Sequence, residues 1–179
     1  MSFTEAVRTC LAKYFTFSGR ASRPEYWWFM LFIFGMSLIL GVLDGMIFGF
    51  NRVEYAPDAV QYEANGPLSS LFSLATLIPI LSAGWRRMHD SGRTGLHLFY
   101  PLIVIIGVTT FMGVVAGFGP VLQGDFGAVI AGGSTLILVF AMVVFLISPL
   151  VVLWWLTRPS QPHPNKYGPP PAHIAARNE

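Results

Sequence analysis

The chain has little charge and almost no cysteine. Only 11% of its 179 residues are charged, whereas 54% are hydrophobic, and a soluble domain surrounded by water needs a more polar surface than this. The single cysteine, Cys10, excludes an intrachain disulfide and a cysteine-rich metal site. These scarcities exclude a soluble globular protein and a disulfide-stapled fold, and they argue against redox chemistry as the activity.

Four long stretches contain almost no charge at all. They run from about 26 to 50, 68 to 85, 96 to 118 and 129 to 156. Each is close to or above the roughly 20 apolar residues that a helix needs to cross the hydrocarbon core of a bilayer. The sequence therefore predicts an all-α integral membrane protein with four transmembrane helices.

Positive charge is scarce in the loops on one side of the predicted membrane. Of 11 lysines and arginines, only Arg52 falls in a loop on that side. The other cations lie before the first span (Arg8, Lys13, Arg20, Arg23), between the second and third (Arg86, Arg87, Arg93), and after the fourth (Arg158, Lys166, Arg177). Because loop cations resist translocation, both termini and the middle loop are predicted to be cytoplasmic.

The segment before the first span does not read as a cleaved signal, because it holds cations and no apolar run. Phe3, Val7 and Leu11 recur there at helical spacing, which predicts an amphipathic helix on the cytoplasmic leaflet; a frayed, solvated tail is the alternative. The predicted organisation is a cytoplasmic amphipathic segment (1–21), a four-helix transmembrane domain (22–157) and a proline-rich cytoplasmic tail (158–179).

Helix-capping residues, and prolines and an acid within the spans, add detail to the predicted helices. Ser2 with Glu5, and Ser22 with Glu25, have the spacing of capping boxes at two helix starts. Prolines at three positions within the spans (Pro79, Pro101, Pro149) predict kinks whose freed carbonyls need other donors, Ser82 and Ser148 among the candidates. Asp44 falls near the outer end of the first span, which favours an interfacial acid over an ion site.

The densest cluster of functional groups lies between the second and third spans. Five side chains occupy eight residues there: Arg86, Arg87, His89, Asp90 and Arg93. The topology brings Arg20, Arg23 and Glu25 to the same side. Because guanidinium groups suit bidentate capture of phosphate or carboxylate, the cluster predicts an anion site at headgroup level. The alternative is a structural network in which Asp90 and Glu25 pair with the arginines and fix the helix ends.

Three separated motifs carry a resemblance to a known family. They are FSGRASRPEYWWF at 17–29, RRMHDSGRTG at 86–95 and NKYGPPP at 165–171. The chain resembles the bacterial inner-membrane family called domain of unknown function 805, whose middle motif usually has leucine at the position of Met88. The resemblance implies a four-helix protein of the bacterial inner membrane with its motifs on the cytoplasmic side, and it implies no activity.

The resulting hypothesis is a noncatalytic membrane protein that binds an anionic lipid headgroup or a protein partner, with no cofactor, no metal and no nucleic acid. An oligomeric transporter or channel component is the alternative, and a homo-oligomer is open. The arginines of the cluster would hold the anion (Arg20, Arg23, Arg86, Arg87, Arg93), and His89 and Asp90 would orient them. Five further residues would support the site, the last two by folding back from the tail (Glu25, Trp27, Trp28, Asn165, Tyr167).

Overall fold

The computed structural model describes residues 1–56, 59–64, 66–125, 127 and 135–171. The elements in chain order are α1 (Phe3–Ala12), α2 (Arg23–Phe48), β1 (Phe50–Ala56), β2 (Ala59–Ala64), α3 (Leu68–Asp90), a 3₁₀ helix (Gly95–Phe99), α4 (Tyr100–Ala116), α5 (Phe118–Gln123) and α6 (Thr135–Thr157). We call the end of the bundle that holds α1, the start of α2, the ends of α3 and α6, and residues 158–171 the arginine end. The opposite end, with β1 and β2, is the hairpin end.

Among the residues that the structure describes, four helical segments are long and apolar enough to cross a membrane. They are Arg23–Phe48, Leu68–Asp90, Gly95–Val114 and Val139–Thr157, so the predicted number of spans and their approximate positions are confirmed. The predicted start of the fourth span at 129 lies outside the described residues. The second span ends at Asp90 instead of 85, and this difference decides the geometry of the site. Which face of the membrane each end occupies stays a prediction.

Helix α1 is held against the bundle by its small residues. Ser2 and Glu5 form the predicted capping box, and Ala6 and Cys10 are fully buried. Phe3 and Leu11 stay about 40% exposed on the same helix, and Phe3 packs edge-on against Trp28 of α2. The helix therefore combines a protein-facing stripe of small side chains with exposed apolar ones beside it.

The prolines inside helices have their freed carbonyls satisfied. Pro79 has no N–H for the carbonyl of Ala75, and the hydroxyl of Tyr14 donates to that carbonyl instead. Ser148 donates to the carbonyl of Phe145, which Pro149 leaves free, at 2.9 Å. The prediction that other groups replace these bonds is confirmed at both sites. The kink predicted at Pro101 is wrong, because that residue lies in the first turn of α4, where a missing N–H costs nothing.

The loop between the first two spans is a β-hairpin, not the irregular loop that its prolines and glycine suggest. Strands β1 and β2 pair antiparallel, with Phe50 opposite Ala64 and an irregularity between Glu54 and Ala56. The ring of Phe50 lies over Gly45, where a Cβ atom would collide with it. Gly45 thus allows a close contact between α2 and β1 within the chain.

Asp44 lies near the end of α2, where an interfacial acid was predicted, and it caps the neighbouring helix α3. Its carboxylate is fully buried and accepts from the backbone N–H groups of Leu68 (3.0 Å) and Ser69 (2.8 Å) and from the hydroxyl of Ser69 (2.7 Å). Helix α3 begins after Pro67, which offers no side-chain cap of its own. A carboxylate on α2 therefore satisfies the first donors of α3 and complements its dipole.

Replacing Asp44 by alanine is expected to lower the free energy of unfolding by about 1–3 kcal/mol, because two backbone donors lose their acceptor at a buried helix start. Unfolding in mixed detergent micelles measures this change. Ser69→Ala removes one of the three bonds and is the graded control, with a smaller expected loss. An Asp44→Ala protein as stable as the parent would contradict the capping role.

Candidate functional site

The cluster predicted as a loop is the end of α3. Trp85 to Asp90 stay helical, since no proline or glycine lies between Trp85 and Ser91, and Gly92 has the positive φ of +81° that ends the segment. Helical geometry puts Arg87 and Asp90 one turn apart on the same face. All side chains from Arg86 to Asp90 are buried, because the segment before α2 and the tail cover them.

Asp90 is the centre of the network. Its side chain is fully buried and accepts from Nε of Arg20 at 3.0 Å and from Nη1 of Arg87. Its backbone carbonyl accepts from the N–H of Gln161 at 3.1 Å. One carboxylate thus ties together the N-terminal segment, α3 and the tail.

Arg87 joins α3 to the end of α6. Its side chain is fully buried, Nε donates to the carbonyl of Leu156 at 3.0 Å, and Nη2 donates to the carbonyl of Arg158. Carbonyls at the end of a helix have no partners within the helix, and a positive charge there also complements its dipole. Every nitrogen of the Arg87 guanidinium therefore has an acceptor inside the protein.

Glu25 and Arg86 form a second buried pair. Nη1 of Arg86 donates to Oε1 of Glu25. Ser22 caps α2 as predicted by accepting from the N–H of Glu25, while the Glu25 carboxylate binds Arg86 across the helices. Nε and Nη2 of Arg86 are buried without a hydrogen-bond partner. The Arg20–Asp90–Arg87 triad and the Glu25–Arg86 pair together hold three guanidiniums and two carboxylates, so the buried network carries an excess positive charge.

Arg20 fastens the tail. Beyond Asp90, its Nη1 donates to the carbonyl of His163 at 2.9 Å and lies 3.5 Å from that of Gly168, and its Nη2 donates to the carbonyl of Gln161. One guanidinium thus supplies donors to three carbonyls of a segment that has no regular secondary structure. These bonds make the described part of the tail a fixed part of the arginine end.

The tail folds back over His89, as predicted. Tyr167 stacks on its ring with centroids 3.7 Å apart and planes within 3°, and Asn165 Nδ2 donates to the His89 carbonyl at 3.0 Å. Nδ1 of His89 lies 3.0 Å from the carbonyl of Gly19, and because a carbonyl only accepts, this nitrogen carries a proton. His89 therefore orients the surrounding segments, and it does not face an open site.

The remaining predicted cations lie outside this network. Arg23 is exposed at the start of α2, with Trp27 and Trp28 about 38% and 40% exposed beside it. Arg93 is half-buried, and its guanidinium lies over the ring of Trp155, 5.3 Å from the centroid. The eight charged or ring-bearing residues predicted to converge therefore divide into a buried network and two arginines outside it, Arg23 exposed and Arg93 half-buried.

The structure offers Cys10 no route to nucleophilic chemistry. Burial raises the pKa of its thiol to about 11, to which the charge of Glu25 adds and which Arg86 opposes, so the neutral thiol dominates at physiological pH. In the described part of the chain, no three His, Cys, Asp or Glu side chains come together.

Several participants carried no local signal in the sequence. The carbonyls of Leu156, Arg158, Gln161 and His163 act through the backbone, so side-chain chemistry does not reveal them. Arg158 is different, because its guanidinium lies 5.1 Å from the centroid of the Trp154 ring. The sequence Trp-Trp-Leu-Thr-Arg at the end of a span places an arginine four residues after a tryptophan, and this spacing on a helix predicts the contact.

The comparisons with known proteins agree with the fold and add no activity. Residues 14–128 match the family described as "Protein of unknown function (DUF805)". Inner membrane protein YhaI of Escherichia coli K12 is 38% identical over 96 residues, which cover 52% of this chain and 70% of the relative.

A second relative, inner membrane protein YhaH of the same strain, is 32% identical over 97 residues, or 54% of this chain and 72% of the relative. No solved structure matches the chain. The family match spans more than half of the chain and reaches two of the three motifs in full. The chain is therefore a member of the DUF805 family.

Proposed function

We propose that this protein is a noncatalytic inner-membrane protein that binds anionic phospholipid headgroups at its arginine end, which faces the cytoplasm. The observation that carries the proposal is the exposed Arg23 at the start of α2, beside two exposed tryptophans. An open groove continues from it along α2 between apolar side chains, ending at Leu31 and Phe34. A cation at headgroup level above an apolar wall matches the two parts of a phospholipid.

The buried arginines support this site indirectly. The N–H groups of Arg20 and Arg87 donate to Asp90 and to backbone carbonyls. An external anion would therefore have to break existing hydrogen bonds to bind these arginines. Removing Arg86 and Arg87 together would test folding before it tests binding. The anion-binding role predicted for these buried arginines stays a prediction. Anion binding at this end of the protein is better tested at Arg23, because Arg23 is exposed.

The apolar wall gives the groove its preference for a lipid over a soluble anion. Leu31 and Phe34 are 51% and 69% exposed, which is expected of side chains that meet acyl chains in a membrane span. Relatives described as inner membrane proteins support the location. The excess of cations at this end supports its cytoplasmic orientation.

Native mass spectrometry of the detergent-extracted protein, titrated with phosphatidylglycerol, tests the proposal. Arg23→Gln is expected to weaken binding of the first lipid about tenfold, because a charge-assisted bond to phosphate is lost. Arg23→Lys should recover only part of the affinity, since the ammonium is a point charge without a planar fork.

Lys13→Gln is the matched control, because it removes one exposed cation at the same end without an adjacent tryptophan. It should bind phosphatidylglycerol almost as the parent does. Equal losses in the Arg23 and Lys13 variants would reduce the effect to generic charge and overturn the proposed site. Phosphatidylcholine, which has no net headgroup charge, is titrated in parallel and measures the binding that does not depend on that charge.

A further inference from the structure

Two arginines at the arginine end, outside the buried network, lie over tryptophan rings. Arg93 follows α3, and its guanidinium carbon is 5.3 Å from the centroid of Trp155. Arg158 follows α6, and its guanidinium carbon is 5.1 Å from the centroid of Trp154. Cation–π contacts of this kind hold each side chain in place while leaving the edges of the guanidinium free to donate.

The two guanidiniums lie over the rings of two consecutive residues at the end of α6. Burial lowers the pKa of Arg93, and the charge of Arg158 lowers it further. Across the described residues, neither side chain forms an ion pair with a carboxylate, although each buried arginine of the neighbouring network has one. Two like charges held together without a counter-charge are unfavourable, and a bound anion removes that cost.

Most donors of this pair are available. Arg93 has one long contact, from Nη1 to the carbonyl of Ser91 at 3.4 Å. Arg158 is exposed, and the bond at this residue is made by its backbone carbonyl, which accepts from Arg87. The side chain of Arg158 can therefore be changed without removing that bond. Trp154, which is 52% exposed, places the pair at the end of the fourth span.

From this arrangement we propose that Arg93 and Arg158 together bind a phosphate group, with Trp154 and Trp155 as the platform beneath them. Two guanidinium forks supply enough donors for several phosphate oxygens at once. The phosphate belongs either to a phospholipid headgroup or to a soluble phosphate ester, since the recognition chemistry is the same. This site shares no residue with the Arg23 groove and stands independently of it.

The test counts bound molecules in the detergent-extracted protein by native mass spectrometry. One arm titrates phosphatidylglycerol, and the other titrates glycerol 1-phosphate, which carries the phosphate without acyl chains. The variant Arg93→Gln with Arg158→Gln is expected to lose one bound probe molecule, or about tenfold in affinity for it. Loss in the first arm alone identifies a lipid, and loss in the second identifies a soluble ester.

Two further variants keep the result interpretable. Arg23→Gln should retain this bound molecule, so failure of the Arg23 proposal and failure of this one are distinguishable. Trp154→Ala removes one platform ring without changing any charge and should weaken the same binding event. A double-glutamine variant that retains parental affinity for both probes, with an unchanged melting temperature, would overturn the proposal.

Discussion

Replacing Asp90 by asparagine is expected to lower the free energy of unfolding by about 3–5 kcal/mol. The carboxylate is fully buried and is the shared partner of Arg20 and Arg87. Asparagine keeps the shape of the side chain but leaves two guanidiniums inside the protein without a counter-charge. Unfolding of the parent and the variant in mixed detergent micelles measures the difference.

Glu5→Gln is the control for loss of a carboxylate at the same end of the molecule. Glu5 is exposed and serves only the capping box of α1, so its replacement should cost no more than about 1 kcal/mol. A double-mutant cycle of Asp90→Asn with Arg87→Met adds a sharper test. Residues in direct contact should couple by about 1 kcal/mol or more, and strict additivity would contradict the pair.

The four spans were predictable because each requirement is local. In a bilayer, the backbone N–H and C=O groups of a long uncharged segment must form hydrogen bonds within their own helix. Length and composition alone therefore identify such a segment as a span. The same logic identified the capping residues Ser2 and Ser22. The end of α3 was missed because its charges look like loop residues, although the absence of proline and glycine from Trp85 to Asp90 allows the helix to continue.

The pairing inside the network was not predictable to the same degree. The sequence placed Arg20, Glu25, Arg86 and Asp90 on one side of the membrane and left open whether they bind a ligand or one another. Arg20 and Asp90 are 70 residues apart in the chain, and no periodicity specifies such a contact. The acceptors on the tail are backbone carbonyls, which every residue has, so their selection emerges only from the folded geometry.

Burial also changes which experiment is informative. The arginines with the strongest local signal, Arg86 and Arg87, are the two whose removal would damage packing. Both are paired with buried carboxylates, Arg86 with Glu25 and Arg87 with Asp90, so removing either would leave a carboxylate inside the protein without that partner. The exposed Arg23, Arg93 and Arg158 can be replaced one at a time with little effect on the core, so binding assays on them report on recognition.

Replacing Arg20 by lysine is expected to release the tail from the bundle. The guanidinium reaches Asp90 and the carbonyls of Gln161 and His163 together, whereas a single ammonium has no planar fork with which to span them. The change keeps the charge, so the loss comes from geometry. We expect a destabilisation of about 3 kcal/mol in the tail contacts, because charge-assisted bonds in a buried setting are among the stronger ones.

Hydrogen exchange measured by mass spectrometry on peptides covering residues 158–171 reads this release directly. The N–H groups of Gln161 and Gly168 are bonded in the folded protein, and a loss of about 3 kcal/mol corresponds to roughly 100-fold faster exchange if the tail opens as a unit. Lys166→Gln is the matched control: it alters a tail cation that lies 5.0 Å from the Tyr167 ring and holds no carbonyl. Unchanged exchange in Arg20→Lys would show that the Tyr167 stack and Asn165 hold the tail alone. Asp90→Asn is expected to speed exchange of the same peptides as well, because it removes the carboxylate that holds both Arg20 and Arg87.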